Sequence, residues 1–154
     1  GLKLSKRIGF AHIWDNDIST MKKIIHPLYI GIGLGTFFVV MDLIFSNFHS
    51  LGALPHPPFP LSLFASITAG IGEEIIARLF FISFWVWLFS NILFKKKYLN
   101  QIFWIVSIFS AVLFTAMHMP SIFAAYNFKK YGLLTAIGIH FWADIVWHVV
   151  YGAL

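Results

Sequence analysis

The chain has 154 residues, of which 59% are hydrophobic and only 11% are charged, and its mean hydropathy is +0.82. A soluble domain carries about 25% charged residues, so these values exclude an ordinary soluble domain and make lipid the expected solvent. There is no Cys, which removes disulfides, thiolate metal sites and a Cys nucleophile, and the net charge of +5 falls in small clusters at the ends of apolar runs, as membrane topology requires and nucleic-acid binding does not.

Residues 1–26 are the most polar stretch, with Lys3, Lys6, Arg7, Lys22 and Lys23 set among Asp15 and Asp17. No compact apolar stretch follows the first lysines, so no secretory signal is expected. This segment reads as cytoplasmic, either a short interfacial helix or a solvated tail. The first span is expected from Pro27, a good helix-starting residue, to about Phe48. Gly31, Gly33 and Gly35 would let another helix approach closely, and Asp42 reads as a hydrogen-bond partner for a neighbouring helix. Pro55, Pro57, Pro58 and Pro60 make 49–60 a loop, with His49 and His56 expected to be solvated.

The second apolar run, Leu61 to Phe94, is closed by Lys95-Lys96-Lys97. As a helix it would be roughly 50 Å long against a hydrocarbon core of about 30 Å. It must tilt, protrude or break, and Gly70 and Gly72 are the natural weak points. The third run is Leu99 to Met117, ending at His118-Met119-Pro120, where Pro120 disfavours helix at the preceding residue. The last run is Tyr131 to Leu154, preceded by Lys129-Lys130. Strand alternation and internal repeats are absent. The expected fold is all-α, a polytopic transmembrane bundle of about four spanning helices over 27–154, following the 1–26 segment.

One feature of the charge pattern resists this scheme. With Lys22-Lys23 inside, Lys95-Lys96-Lys97 also falls inside, but three spans then put Lys129-Lys130 outside, against the positive-inside rule. Either the rule fails, or the short stretch between 119 and 128 re-enters the bilayer, or a span is lacking there.

The ionisable residues inside the apolar runs are Asp42, Glu73, Glu74, Arg78, His118, His140, Asp144 and His148. An acid or arginine at the centre of a spanning helix costs roughly 2.5–3.5 kcal/mol, so these groups need partners or a function. Glu74 and Arg78 stand at i, i+4 and can pair on one helix. Glu73 points about 100° away, has no basic partner on its own helix, and reads as the reactive carboxylate, a general base. A purely structural ion-pair cluster is the plainer alternative. His118 ends Phe114-Thr115-Ala116-Met117-His118, and a lone histidine there is more often structural. His140, Asp144 and His148 recur at four-residue spacing on one face. Asp144 can fix a histidine tautomer, or His140 and Asp144 can ligate a metal, or the stripe is structural.

Glu73-Glu74-x-x-x-Arg78, Phe114-x-x-x-His118 and His140-x-x-x-Asp144, in that order, resemble the three motifs of the CAAX-protease and bacteriocin-processing family of intramembrane proteases. This is the Abi or type II CAAX prenyl endopeptidase family, and the resemblance covers about 60–150. Asp144 stands where many members have Asn, and the second and third motifs are closer together than in the family pattern. The resemblance implies hydrolysis of a peptide bond in a membrane-associated, prenylated or leader peptide. It implies Glu73 as the base activating water, aided by His118, with His140 and Asp144 at the carbonyl and oxyanion, and Glu74 with Arg78 in support; His148 is a possible addition. It also implies a multi-pass protein of a cell membrane, of bacterial type, with its N-terminus cytoplasmic, acting on a peptide partner in the lipid bilayer and not on nucleic acid. No cofactor is expected. The alternatives are a zinc metalloprotease with Glu73, His118 and His140 as ligands, a non-catalytic immunity or scaffold protein that keeps the polar cluster, and, less in keeping with the absence of an inverted repeat, an ion transporter.

Overall fold

Apolar runs bounded by lysines and prolines become helices, and among the described residues no strand forms. The computed structural model describes residues 1–12, 15–48, Ser50, Gly52, 54–114 and 120–154. Helix α1 is Leu2–Arg7, α2 Met21–Phe45, α3 Leu61–Leu93, α4 Leu99–Phe114, α5 Pro120–Tyr131 and α6 Leu133–Ala153. Of these, α2, α3 and α6 are long and apolar enough to cross a membrane, and α4 is a shorter apolar helix. Their outward faces carry exposed large side chains such as Phe37, Val40, Phe64, Ile71 and Phe80. Apolar surface this extensive is covered by a bilayer rather than by water. The molecule is an all-α multi-pass membrane protein.

The last helix, α6, is the centre of the bundle and packs on α2, α3 and α5. Glycines set its distance from α2. A Cβ on Gly31 would stand 2.6 Å from the Ile139 carbonyl oxygen, and one on Gly35 would stand 2.6 Å from that of Ala143, whereas one on Gly33 would meet nothing within 4 Å. The helices meet backbone to backbone along one side of α2. Residue order in these contacts makes α2 and α6 parallel: Pro27 lies beside Gly138, Gly35 beside Val146, and Asp42 beside Tyr151.

Parallel first and last spans resolve the charge pattern. Helix α5 runs back along α4, with Tyr126 stacked on Trp104 and the Lys129 ammonium donating to Asn100 Oδ1 at 2.5 Å. Its 12 residues rise about 18 Å, half a bilayer. Lys129 and Lys130 return to the end that holds Lys22 and Lys23, which is the placement the re-entry alternative requires.

Helix α3 runs through Gly70 and Gly72 without a break. Its hydrogen bonding widens to the i→i+5 pattern of a π-helix from Ile75 to Ile82, immediately after the glutamate pair, and again from Trp87 to Leu93. The second half of α3 continues past the start of α6 and is enclosed there by α1, α4 and α5. Ile8, Phe10, Ile82, Val86, Phe103 and Phe128 form a buried apolar cluster. Phe10 meets Phe103 and Phe128 edge to face at 5.5 and 5.6 Å. The N-terminal segment is thus part of the bundle and not a solvated tail. The first span also starts earlier than expected, at Met21.

The proline-rich loop departs from expectation at His56. Instead of being solvated, its ring is partly buried against Trp147, His148 and Tyr151, with His56 Nδ1 3.2 Å from His148 Nδ1. Burial lowers the His56 pKa, and the nearby Asp42 carboxylate opposes that shift. Asp42 accepts from Tyr151 Oη at 2.9 Å and from the Leu54 N–H at 3.3 Å, so it is the inter-helix hydrogen-bond partner that its position suggested. His49 lies outside the described residues.

Candidate active site

The spacing of Glu74 and Arg78 places them one turn apart, and both are buried. Glu74 has no exposed side-chain surface and Arg78 has 3%, with Nε 3.1 Å from Glu74 Oε2. The second oxygen, Glu74 Oε1, lies 3.0 Å from Nδ1 of His140 on α6. A carboxylate there accepts, so Nδ1 carries the proton and donates to it. One buried carboxylate therefore ties an arginine of its own helix to the histidine of the central helix.

The other ring nitrogen, His140 Nε2, faces two further carboxylates. Asp144 Oδ2, one turn along α6, is 3.6 Å away, and Glu73 Oε2 is 3.9 Å away. Both separations exceed a direct hydrogen bond and suit a bridging water or a reacting group. Glu73 is the open member of the set: its side chain is 37% exposed, against 4% for His140 and 10% for Asp144. The two adjacent glutamates are thus separated in environment, Glu74 enclosed and doubly partnered, Glu73 at the margin with one face accessible.

Local backbone geometry contributes to this arrangement. Both helices switch from α to π hydrogen bonding directly after their acidic residues, at Ile75 in α3 and at Ile145 in α6. A π-turn advances each residue by a smaller angle than an α-turn, so side chains beyond the switch are re-aimed relative to those before it. Gly70 lets α3 approach α6 here, since a Cβ on it would stand 3.3 Å from Phe141 Cβ.

Of the residues singled out from the sequence, Glu73, Glu74, Arg78, His140 and Asp144 come together. His118 lies outside the described residues. His148, read as part of the same stripe, is directed to the proline-rich loop, where it meets His56. The contact of His140 with Glu74 was not anticipated, because helix spacing does not report which member of an adjacent pair a neighbouring helix will meet. The His56 and Tyr151 contacts were also missed; the small residue beside them, Gly152, where a Cβ would stand 2.7 Å from His56 Cβ, is the signal of that close approach.

Among the described residues no three His, Asp or Glu side chains are disposed to hold a metal ion. His140 Nδ1 is engaged by Glu74, and Glu74 by Arg78. The zinc set considered above requires His118.

A family model described as Rce1-like, type II CAAX prenyl endopeptidase, matches residues 55–152. That range contains the whole of α3 and all five clustered residues. No curated protein and no solved structure matches the chain.

Proposed function

The chain belongs to the Rce1-like family of type II CAAX prenyl endopeptidases, and on that premise we propose that it is an intramembrane endopeptidase in which Glu73 activates water. The observation that carries this reading is His140 held between the two glutamates, with Glu74 closed off by Arg78 and Glu73 left accessible. The substrate would be a peptide at the membrane, prenylated or carrying a leader sequence.

In this mechanism the Glu73 carboxylate takes a proton from a bound water as the oxygen attacks the scissile carbonyl. The protonated His140 donates Nδ1–H to Glu74 and presents Nε2–H to the developing oxyanion. Asp144 cannot donate as a carboxylate, so it acts through His140 by orienting that N–H. Collapse of the tetrahedral intermediate breaks the C–N bond, and Glu73 returns its proton to the leaving amine. Arg78, 3.1 Å from Glu74 through Nε, holds that carboxylate in place. The part assigned to His118, assisting Glu73, rests on the family motif alone.

Glu73→Gln tests the proposal in the full chain reconstituted in liposomes with a prenylated reporter peptide. Loss of a general base lowers cleavage by roughly 10²–10⁴-fold, and a partly exposed side chain leaves the thermal unfolding midpoint unchanged. Cleavage that survives Glu73→Gln would sink the assignment, and a wild-type protein without cleavage would favour the immunity or scaffold reading. Stoichiometric zinc in the purified protein, with chelator inhibition reversed by zinc, would turn the same residues into a metal site.

A further inference from the structure

Charge is distributed very unevenly along this molecule. Every basic residue except Arg78 lies at one end of the bundle, where α2 and α6 begin and α3 ends. Contacts fix this placement: the Ala11 N–H donates to the Lys129 carbonyl at 3.0 Å, and the Lys23 ammonium donates to the Asp15 carbonyl at 2.6 Å. Asp15 and Asp17 are the only acids at this end, which gives it a formal +8 and leaves −3 for the remainder. Among the described residues no lysine of this end is ion-paired to a carboxylate.

Within this surface, two lysines from different elements converge on one ring. The Lys22 ammonium, from the start of α2, is 5.5 Å from the Tyr131 centroid, and that of Lys130, from the end of α5, is 5.2 Å away. Lys130 also lies 5.5 Å from the Tyr126 centroid and donates to Tyr126 Oη at 3.3 Å. Lys22, Lys130 and Tyr126 are exposed. The Tyr131 ring is set from its other side by His26 at 5.5 Å. Tyr and Trp collect at the headgroup level of a bilayer, and here Tyr126, Tyr131 and Trp104 surround the lysines beside the first residues of two spans. Two like charges drawn to one ring, with no carboxylate among the described residues paired to either, suit an external phosphate anion.

We propose that Lys22, Lys130 and Tyr131, bordered by Tyr126, bind the headgroup of an anionic phospholipid. The site is independent of the peptidase chemistry, which lies deeper in the bundle. It lies beside the first residues of α2 and α6, two helices long and apolar enough to span a membrane, so a lipid headgroup is the phosphate expected next to it.

The test uses the full chain in mixed micelles of phosphatidylglycerol and phosphatidylcholine, with retained lipid read by native mass spectrometry. Two lysines at an anionic surface predict a preference for phosphatidylglycerol of roughly thirtyfold. Lys22→Gln with Lys130→Gln brings the ratio near parity, whereas Lys95→Gln with Lys97→Gln changes it little. Equal loss in both double variants means diffuse attraction to the basic end and overturns the proposal, as does a wild type without preference. Displacement of the lipid by millimolar inorganic phosphate at constant ionic strength overturns the lipid assignment in favour of a free-phosphate site. Should the double variant fail to fold, Lys22→Gln and Lys130→Gln singly are each expected to lose part of the preference, and an unchanged ratio in both singles overturns it.

Discussion

Glu74 owes its role to having two partners where its neighbour has none as close. With no exposed side-chain surface, it is bound by Arg78 Nε at 3.1 Å and by His140 Nδ1 at 3.0 Å. Removing the cation from a buried pair leaves the Glu74 carboxylate with no water and with His140 as its one remaining close partner, and breaking a buried pair costs about 3–5 kcal/mol. Arg78→Ala is therefore expected to lower stability by about that amount in detergent unfolding, and to reduce cleavage through displacement of His140. Arg78→Lys should recover only part of the loss, because the contact is made by Nε and a lysine carries its single nitrogen at the chain end. If Arg78→Ala unfolds at the wild-type midpoint, Glu74 is held by something other than this pair. The Glu74–Arg78 contact was legible in the sequence because four-residue spacing fixes neighbours on one helix. The assignment of His140 to Glu74 was not, since it depends on how α3 and α6 are rotated against each other. That rotation is set by inter-helix packing such as the close approach at Gly70, which spacing along one helix does not announce.

At the level of elements, the site is only as well placed as α6 is against α2 and α3. The run Gly31, Gly33, Gly35 was legible as a close-approach surface, and the structure divides it. Gly31 and Gly35 face α6, where a Cβ would come within 2.6 Å of backbone oxygens, while Gly33 faces open space. Backbone atoms cannot swing aside as a flexible side chain does, so Gly35→Ala forces the two helices apart. Overpacking costs about 1–3 kcal/mol, and the displaced segment carries Asp144, one residue from the Ala143 carbonyl that Gly35 touches. Gly35→Ala is expected to lower both thermal stability and cleavage, and Gly33→Ala to leave both at the wild-type level. Equal behaviour of the two variants would contradict the face assignment. The length of α3 was legible as a problem, but its solution was not. The second half of α3 is enclosed together with Ile8 and Phe10, whose contacts with Phe103 and Phe128 are made over long distances in the chain.

For the whole molecule, the charge pattern carried more information than a count of apolar runs. Reading α4 as a full span placed Lys129-Lys130 on the wrong side, and that conflict was the signal that the chain turns back. A 12-residue α5 returns it to the basic end, so that α2 and α6 run parallel and bring Asp42 to Tyr151 and Gly31 to Ile139. An arrangement with α4 as a complete crossing would make α2 and α6 antiparallel and would separate those pairs by most of the bilayer. The native chain has no cysteine, so single cysteines can be introduced without a background. With the basic end on the cytoplasmic side, as the positive-inside rule assigns it, Lys23→Cys, Lys96→Cys and Lys130→Cys should all react with a membrane-impermeant maleimide only in inverted vesicles. Phe59→Cys, exposed in the proline-rich loop at the opposite end, should react only in right-side-out vesicles. Labelling of Lys130→Cys from the side that labels Phe59→Cys would mean that α4 and α5 together cross the membrane. The parallel pairing of α2 and α6, and with it the approach of His140 to the glutamates, would then fail.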